Sequence, residues 1–258
     1  MQVSLAGRIA LVSGAGRGIG RSIALGLAQD GADVAVNYRR DAEAAGEVVA
    51  AIEKMGRRAI AVQASVDDYD ADVAMVEQIV KHLGPIGILV HNAGIASRGQ
   101  SVENTEPAEL LRVMATHAMA GHYLSKLVVP SMRPLGRGDI VMISSAATKG
   151  LRANGAPYNM AKSALEALAY TLAKELRPDG IRVNIVAPGL VETEMGRRLM
   201  RASTGVEDLR ELDARSPFGR VCQPQDVANA VRYFVSDNNS YMTGERVYVD
   251  GGGQSLRD

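Results

Sequence analysis

Tyr158 and Lys162 stand four residues apart in Tyr158-Asn159-Met160-Ala161-Lys162, at the start of a stretch with helical character. Pro157 suits the first turn of such a helix. Side chains four apart share one helix face, so a phenol and an ammonium can address the same point. A neighbouring ammonium favours the ionised phenol and lowers its pKa, which suits Tyr158 to exchanging a proton near neutral pH. Upstream, Ile143-Ser144-Ser145 closes an apolar run. Ser145 there can offer a hydroxyl to polarise a carbonyl, while Ser144 packs or bonds locally. Together these groups can exchange a proton with the oxygen of a carbonyl or an alcohol. The Tyr-x-x-x-Lys spacing also arises by chance, with Lys162 a solvated helix residue, so the surroundings must decide.

A second constellation lies near the amino end. Ser13-Gly14-Ala15-Gly16-Arg17-Gly18-Ile19-Gly20 follows the apolar run 9–12 and opens a helical pattern. Glycines at such a turn allow a tight bend, close approach of a pyrophosphate and tight helix–strand packing, while the helix N-terminus supplies N–H donors and a positive dipole end. Gly14, Gly18, Ile19 and Gly20 are the expected cradle, although glycine at a strand–helix turn also serves geometry alone. In a dinucleotide-binding unit, an acid after the second strand takes the ribose hydroxyls, and a basic residue there accommodates a 2′-phosphate. This chain reads Val36-Asn37-Tyr38-Arg39-Arg40, with no acid before Asp41. Arg39, helped by Arg17, therefore points to NADP(H) rather than NAD(H), since the guanidinium fork matches phosphate oxygens. Use of both cofactors stays open, as does a plain solvated role for the arginines.

The elements that must position these residues alternate regularly. Short apolar runs at 9–12, 34–36, 59–62, 86–90, 140–143, 181–186 and 247–249 are separated by helical patterns near 18–30, 41–55, 69–83, 107–133, 157–177 and 224–236. Fully apolar strands between helices predict an α/β fold, a doubly wound Rossmann-type parallel sheet covered on both faces. No repeat or composition shift divides the chain, so residues 1–258 are expected to form a single oxidoreductase domain. The polar segment 192–215 lacks a strand pattern and follows a strand end, where such sheets place their ligands. It reads as a substrate lid, or else as a surface helix used in subunit contact.

Composition excludes other classes. The 258 residues carry 29 Lys+Arg against 29 Asp+Glu, which argues against a nucleic-acid footprint. No apolar run approaches the roughly 18 residues of a membrane span. The lone Cys222 forms no intramolecular disulfide and has no activating base in its local sequence, so the expected setting is cytoplasmic. Metal binding by His117 and His122 is not expected, because five helical residues place them about 140° apart.

Taken in order, these motifs resemble the short-chain dehydrogenase/reductase family over essentially the whole chain. The glycine loop matches the family's Thr-Gly-x-x-x-Gly-x-Gly with Ser13 for Thr. His91-Asn92-Ala93-Gly94 is similar to its Asn-Asn-Ala-Gly, Pro188-Gly189 with Thr193 to its nicotinamide-side loop, and Val249-Asp250-Gly251-Gly252 to its C-terminal signature. The resemblance implies a Ser145/Tyr158/Lys162 centre in which Tyr158 protonates a carbonyl oxygen, Ser145 stabilises it, and Lys162 holds the cofactor ribose. It also implies that Asn92, Ala93 and Gly94 line the cofactor, that Val66 lies by the adenine, and that Pro188, Gly189, Val191 and Thr193 serve the carboxamide region. A homo-oligomer, most often a tetramer, is the family expectation. Within the family, 3-oxoacyl-thioester reductases are the leading likeness, with Arg133, Arg137, Arg197 and Arg198 as candidates to meet a phosphopantetheine arm or acidic carrier. Another small alcohol or ketone is the alternative substrate, and a cofactor-binding subunit with impaired catalysis is the alternative class.

Three positions depart from the family pattern. His91 replaces the first Asn and reads as a packing variant, and Ser65 stands before Val66 where Asp is common. His117 occupies the position of the Asn that completes the family's tetrad. There it can carry the proton relay with a pH dependence of its own, weaken the relay, or serve as a satisfied core histidine.

Overall fold

The computed structural model describes residues 4–253. The strands are β1 (Ile9–Val12), β2 (Asp33–Tyr38), β3 (Ala59–Gln63), β4 (Ile88–His91), β5 (Gly138–Ile143), β6 (Ile181–Pro188) and β7 (Arg246–Val249), in the spatial order β3-β2-β1-β4-β5-β6-β7. Every pairing is parallel. The pleat divides each strand between two cores. Leu11, Leu89, Ile140 and Met142 face one apolar cluster, while Ala10, Val12, Ile88, Val90, Val141 and Ile143 face the other. Both faces are dry, so the central strands read as continuous apolar runs.

Helices α1 (Gly18–Gln29), α2 (Ala42–Lys54) and α9 (Pro224–Val235) cover one face through Ile23, Leu27, Val48, Ile52, Val231 and Phe234. Helices α3 (Tyr69–His82), α5 (Ala120–Met132) and α7 (Ala156–Leu176) cover the other through Met75, Ile79, Leu124, Val128, Leu165 and Ala169. The strand order reverses between β1 and β4. Ligands of doubly wound sheets bind beyond the carboxyl ends of the strands at such a switch point.

The region expected as one long helix over 107–133 is interrupted. It comprises α4 (Pro107–Met114), a π-helical segment Ala115–Met119, and α5. The wider π turn releases the regular i→i−4 pattern where His117 lies, and such bulges concentrate at functional sites. Ala147–Gly150 forms the short α6, and the polar segment 192–215 contains α8 (Glu194–Thr204) and a 3₁₀ turn Leu209–Arg215.

Two buried carboxylates contrast. Asp139, at the amino end of β5, meets Arg8 at 2.7 Å, the Arg182 Nε at 2.8 Å and Arg137 at 3.4 Å. Asp72 on α3 is fully buried, and neither of its carboxyl oxygens has a hydrogen-bond partner. Burial, followed by the charges of Asp68 and Asp67, pushes its pKa up from 3.8 to about 8. Between those two values the unfolded chain releases a proton that the native state keeps, so stability falls as pH rises across that window. Asp72→Asn cannot ionise and avoids this loss. Thermal melts are expected to show the variant gaining on the order of 2 kcal/mol over the wild-type chain at pH 8, after discounting for solvent relaxation, and almost nothing at pH 4. Equal differences at both pH values would refute an uncharged Asp72.

Candidate active site

The site forms where β1, β4, β5 and β6 end. The glycine loop turns from β1 into α1, with Gly14 at φ +63° and Gly18 at φ +55°, a region costly for any residue with a Cβ. A Cβ on Gly20 would lie 2.3 Å from Gly14 O and 2.6 Å from Asn92 Nδ2, so the loop closes onto its helix only with glycine there. No side chain caps the N-terminus of α1. Its first N–H groups and dipole are thus available to an anion such as a pyrophosphate, and the residues present fit a dinucleotide.

Ser13 and Asn92 hold the loop against β4. The Asn92 Nδ2 donates to Ser13 O and Gly14 O, at 3.0 and 3.2 Å. The Ser13 hydroxyl oxygen accepts from the N–H groups of Asn92 (3.0 Å) and Ala93 (2.9 Å), and it lies 3.1 Å from His91 Nδ1. With two donors on its oxygen, the hydroxyl directs its own proton to Nδ1. The other ring nitrogen of His91 then donates to His117 O at 2.9 Å. Burial, with the Lys162 charge behind it, pushes His91 down to about 4, so this neutral tautomer persists at physiological pH. His91 is therefore more than a packing variant, because it wires the glycine loop to the π segment.

His117 is buried, and its Nε2 lies 2.8 Å from Ile95 O and 3.1 Å from Ile95 N. One neutral nitrogen serves only one of these at a time. Its Nδ1 has no partner among the described residues. The ring stands edge-on to Tyr158, with centroids 5.3 Å apart, and closes over Gly94, where a Cβ would fall 2.5 Å from Cε1. Burial and the Lys162 charge hold its pKa well below the usual imidazole range. The structure therefore gives His117 no titration near neutral pH.

Tyr158 and Lys162 project from the first turns of α7. The Tyr158 hydroxyl neighbours that of Ser145. The Lys162 Nζ donates to Ile143 O at 2.7 Å and lies 5.8 Å from the Tyr158 ring centroid. Burial lowers the Lys162 pKa to about 7 against the opposing charge of Glu166. Burial also raises that of Tyr158, opposed by the Ser145 hydroxyl. The direction for Tyr158 is opposite to the sequence expectation, because desolvation of the phenolate dominates. The phenol is held protonated, the form that can donate.

A family model described as enoyl-(acyl carrier protein) reductase matches residues 14–254. The chain belongs to the short-chain dehydrogenase/reductase family. Versicolorin reductase stcU of Emericella nidulans is 37% identical over 255 residues, covering 96% of each chain. The 3-oxoacyl-[acyl-carrier-protein] reductase of Staphylococcus aureus is 36% identical over 244 residues, 94% of this chain and 96% of the relative. Among solved structures, a 7α-hydroxysteroid dehydrogenase complexed with NADH and 7-oxo glycochenodeoxycholic acid superposes with a TM-score of 0.90 at 31% identity, covering 98% of this chain and 96% of that one. Membership makes the chain an oxidoreductase of ketones and alcohols that uses a nicotinamide cofactor.

The remaining positions named from the family pattern fall around the same edge. Pro188 ends β6 and Gly189 follows it. Val191 is buried, and Thr193 caps α8 by accepting from Gly196 N at 3.0 Å. The Thr193 Cγ2 lies 3.3 Å from where a Gly18 Cβ would be, so the start of α8 touches the glycine loop. Val66 is buried in the core beside β3. Arg17 pairs with Glu194 of α8 at 2.7 Å, and Arg39 is exposed. Cys222 has its thiol pushed up to about 12, mainly by burial, which leaves it inert.

Two groups of arginines do not behave as the thioester likeness suggested. Arg133 and Arg137 lie before the amino end of β5, roughly 20 Å along the strand from Ser145. They pair there with Asp179, and with Asp139 and Asp237, respectively. Arg197 and Arg198 pair with Glu192 and Glu194. Sequence reasoning also missed Glu166, whose only signal was an acid one helix turn beyond Lys162.

Proposed function

We propose that this chain interconverts a ketone and a secondary alcohol with NADP(H) as its preferred cofactor. The observation that carries the reading is the convergence at the carboxyl end of β5 of Ser145 with Tyr158 and Lys162 of α7, the Lys162 Nζ bound to Ile143 O and 5.8 Å from the Tyr158 ring centroid, with the glycine loop beside them. When bound, the nicotinamide supplies hydride to the carbonyl carbon or takes it from the alcohol. Ser145 holds the substrate oxygen, and Tyr158 gives that oxygen its proton or removes it. Lys162 holds the ribose hydroxyls and supplies positive charge to the phenol.

The adenosine end supports NADP(H). Asp41, the first acid after β2, accepts from Ala44 N at 3.0 Å and so serves as the cap of α2. The Asn37 side chain is committed to Gly14 N, Val62 O and Ala64 O. That leaves Arg39, with Arg17 partly neutralised by Glu194, to face a 2′-phosphate. Each charge-assisted bond contributes about 1.5–3 kcal/mol, so Arg39→Ala and Arg17→Ala should each lower kcat/KM for NADPH by about 10–100-fold, with little change for NADH. An NADPH:NADH ratio unmoved by both substitutions would remove the assignment.

The likeness to 3-oxoacyl-thioester reductases makes a 3-oxoacyl thioester the first substrate class to test, since the relative of that name matches nearly the whole chain. The experiment is NADPH oxidation against acetoacetyl-CoA, ethyl acetoacetate, a keto sugar and 7-oxo glycochenodeoxycholic acid. Turnover of acetoacetyl-CoA well above the others supports the thioester class. Turnover of another ketone moves the substrate and keeps the reaction. Tight NADPH binding without turnover of any ketone would favour a cofactor-binding subunit.

A further inference from the structure

Glu166 lies on α7 one turn beyond Lys162, and its side chain is only 7% exposed. Its Oε1 accepts from the Ser144 hydroxyl at 2.6 Å and lies 2.9 Å from the Thr148 hydroxyl. Its Oε2 is 2.5 Å from an Arg246 guanidinium nitrogen, brought from β7. The Lys162 Nζ meanwhile grips Ile143 O, the residue just before Ser144. Two side chains one helix turn apart thus hold two consecutive residues of the strand end that presents Ser145. A hydroxyl-to-carboxylate bond this short is charge-assisted, and it fixes Ser144 more firmly than a neutral contact would.

We propose that Glu166 is a positioning residue of the active site. It anchors the Ser144–Ser145 turn and sets a negative charge one helix turn from the Lys162 ammonium, while Arg246 limits that charge from the other side. The inference rests on the oxidoreductase reading for its purpose, but its physical content does not need a substrate.

The charges around Lys162 allow few other sources. On its own helix stand Tyr158, held neutral, and Glu166. The π segment brings His117 and β4 brings His91, both held neutral with pKa values below the imidazole norm. Glu166 is then the formal charge opposing the desolvation of Lys162. Arg246 sits behind it on β7, partly exposed and also stacked over Tyr248 at 4.8 Å.

The two partners must therefore act with opposite sign. Glu166→Gln keeps the size and an acceptor for Ser144 but removes the charge. Arg246→Gln leaves the carboxylate less neutralised. The readout is the Lys162 pKa, followed by the 13Cε chemical shift of labelled lysine against pH and assigned by its loss in Lys162→Met. Glu166→Gln is expected to lower that pKa by about one unit, and Arg246→Gln to raise it by a smaller amount. In NADPH-dependent reduction by the wild-type chain and the variants, the alkaline limb of kcat should move in the same two directions. Shifts of the same sign, or no shift in either variant, would overturn the proposal. If Glu166→Gln does not fold, Glu166→Asp replaces it, and a Lys162 pKa unmoved by the withdrawn carboxylate overturns the proposal. A wild-type chain that turns over no ketone would instead sink the oxidoreductase reading and leave the lysine titration interpretable.

Discussion

Tyr158→Phe is expected to lower kcat for ketone reduction by about 10²–10⁴-fold, the usual contribution of a positioned acid or base. The substitution removes one oxygen and leaves the ring packed edge-on to His117. Cofactor affinity should therefore change little, because the glycine loop and Lys162 are untouched. Calorimetric titration with NADPH separates binding from the chemical step. The physical reason for the size of the effect is the protonation state. Burial keeps the phenol neutral beside Ser145, so no other described group at this point combines a proton with the position to deliver it. A loss of less than tenfold would mean that another group carries the proton.

Asp139→Ala is expected to cost about 3–5 kcal/mol of stability, the range for removing one partner from a buried ionic cluster. Arg8, Arg137 and Arg182 converge on this carboxylate from three sides. Its removal leaves three guanidinium groups close together, two of them in surroundings that give little access to water. For a chain of this size that loss corresponds to a fall in melting temperature of roughly 6–20 °C. Thermal unfolding followed by circular dichroism measures it, and a fall below about 2 °C would show that water compensates the arginines. The cluster stands at the edge of the sheet opposite the active site. Activity per folded molecule should survive, which separates this variant from Tyr158→Phe.

The strands and helices were legible because each carries a simple apolar signal. The run at 9–12 coincides with β1, that at 140–143 falls within β5, which starts two residues earlier, and the stretch 157–177 matches α7 to within a residue. The proximity of Ser145, Tyr158 and Lys162 was readable from helix spacing and a strand end. The π segment at Ala115–Met119 was not readable, and its contacts are tertiary. His117 reaches across to Ile95, and its carbonyl accepts from His91. Local periodicity carries no record of a partner 22 or 26 residues away. The ammonium effect on Tyr158 was misjudged for a similar reason, because burial is a property of the assembled layers and not of the four-residue spacing. Glu166 was overlooked because an acid at i+4 from a lysine is an everyday surface pair. Only the fold turns it inward, onto Ser144.

The strand order also governs when this site comes into being. β1 is made first, yet it ends between β2 and β4, and the latter arrives only after β2, α2, β3 and α3 have been laid down. Until then the glycine loop lacks the partners that hold it, because Ser13 binds the backbone of Asn92 and Ala93, and His91 must await the carbonyl of His117. Such distant pairing makes folding slow, since the chain must close long loops before the contacts repay it. A nascent chain that stops short of β4 therefore presents β1 with a bare edge, and the cofactor cradle is among the later parts of the molecule to become rigid.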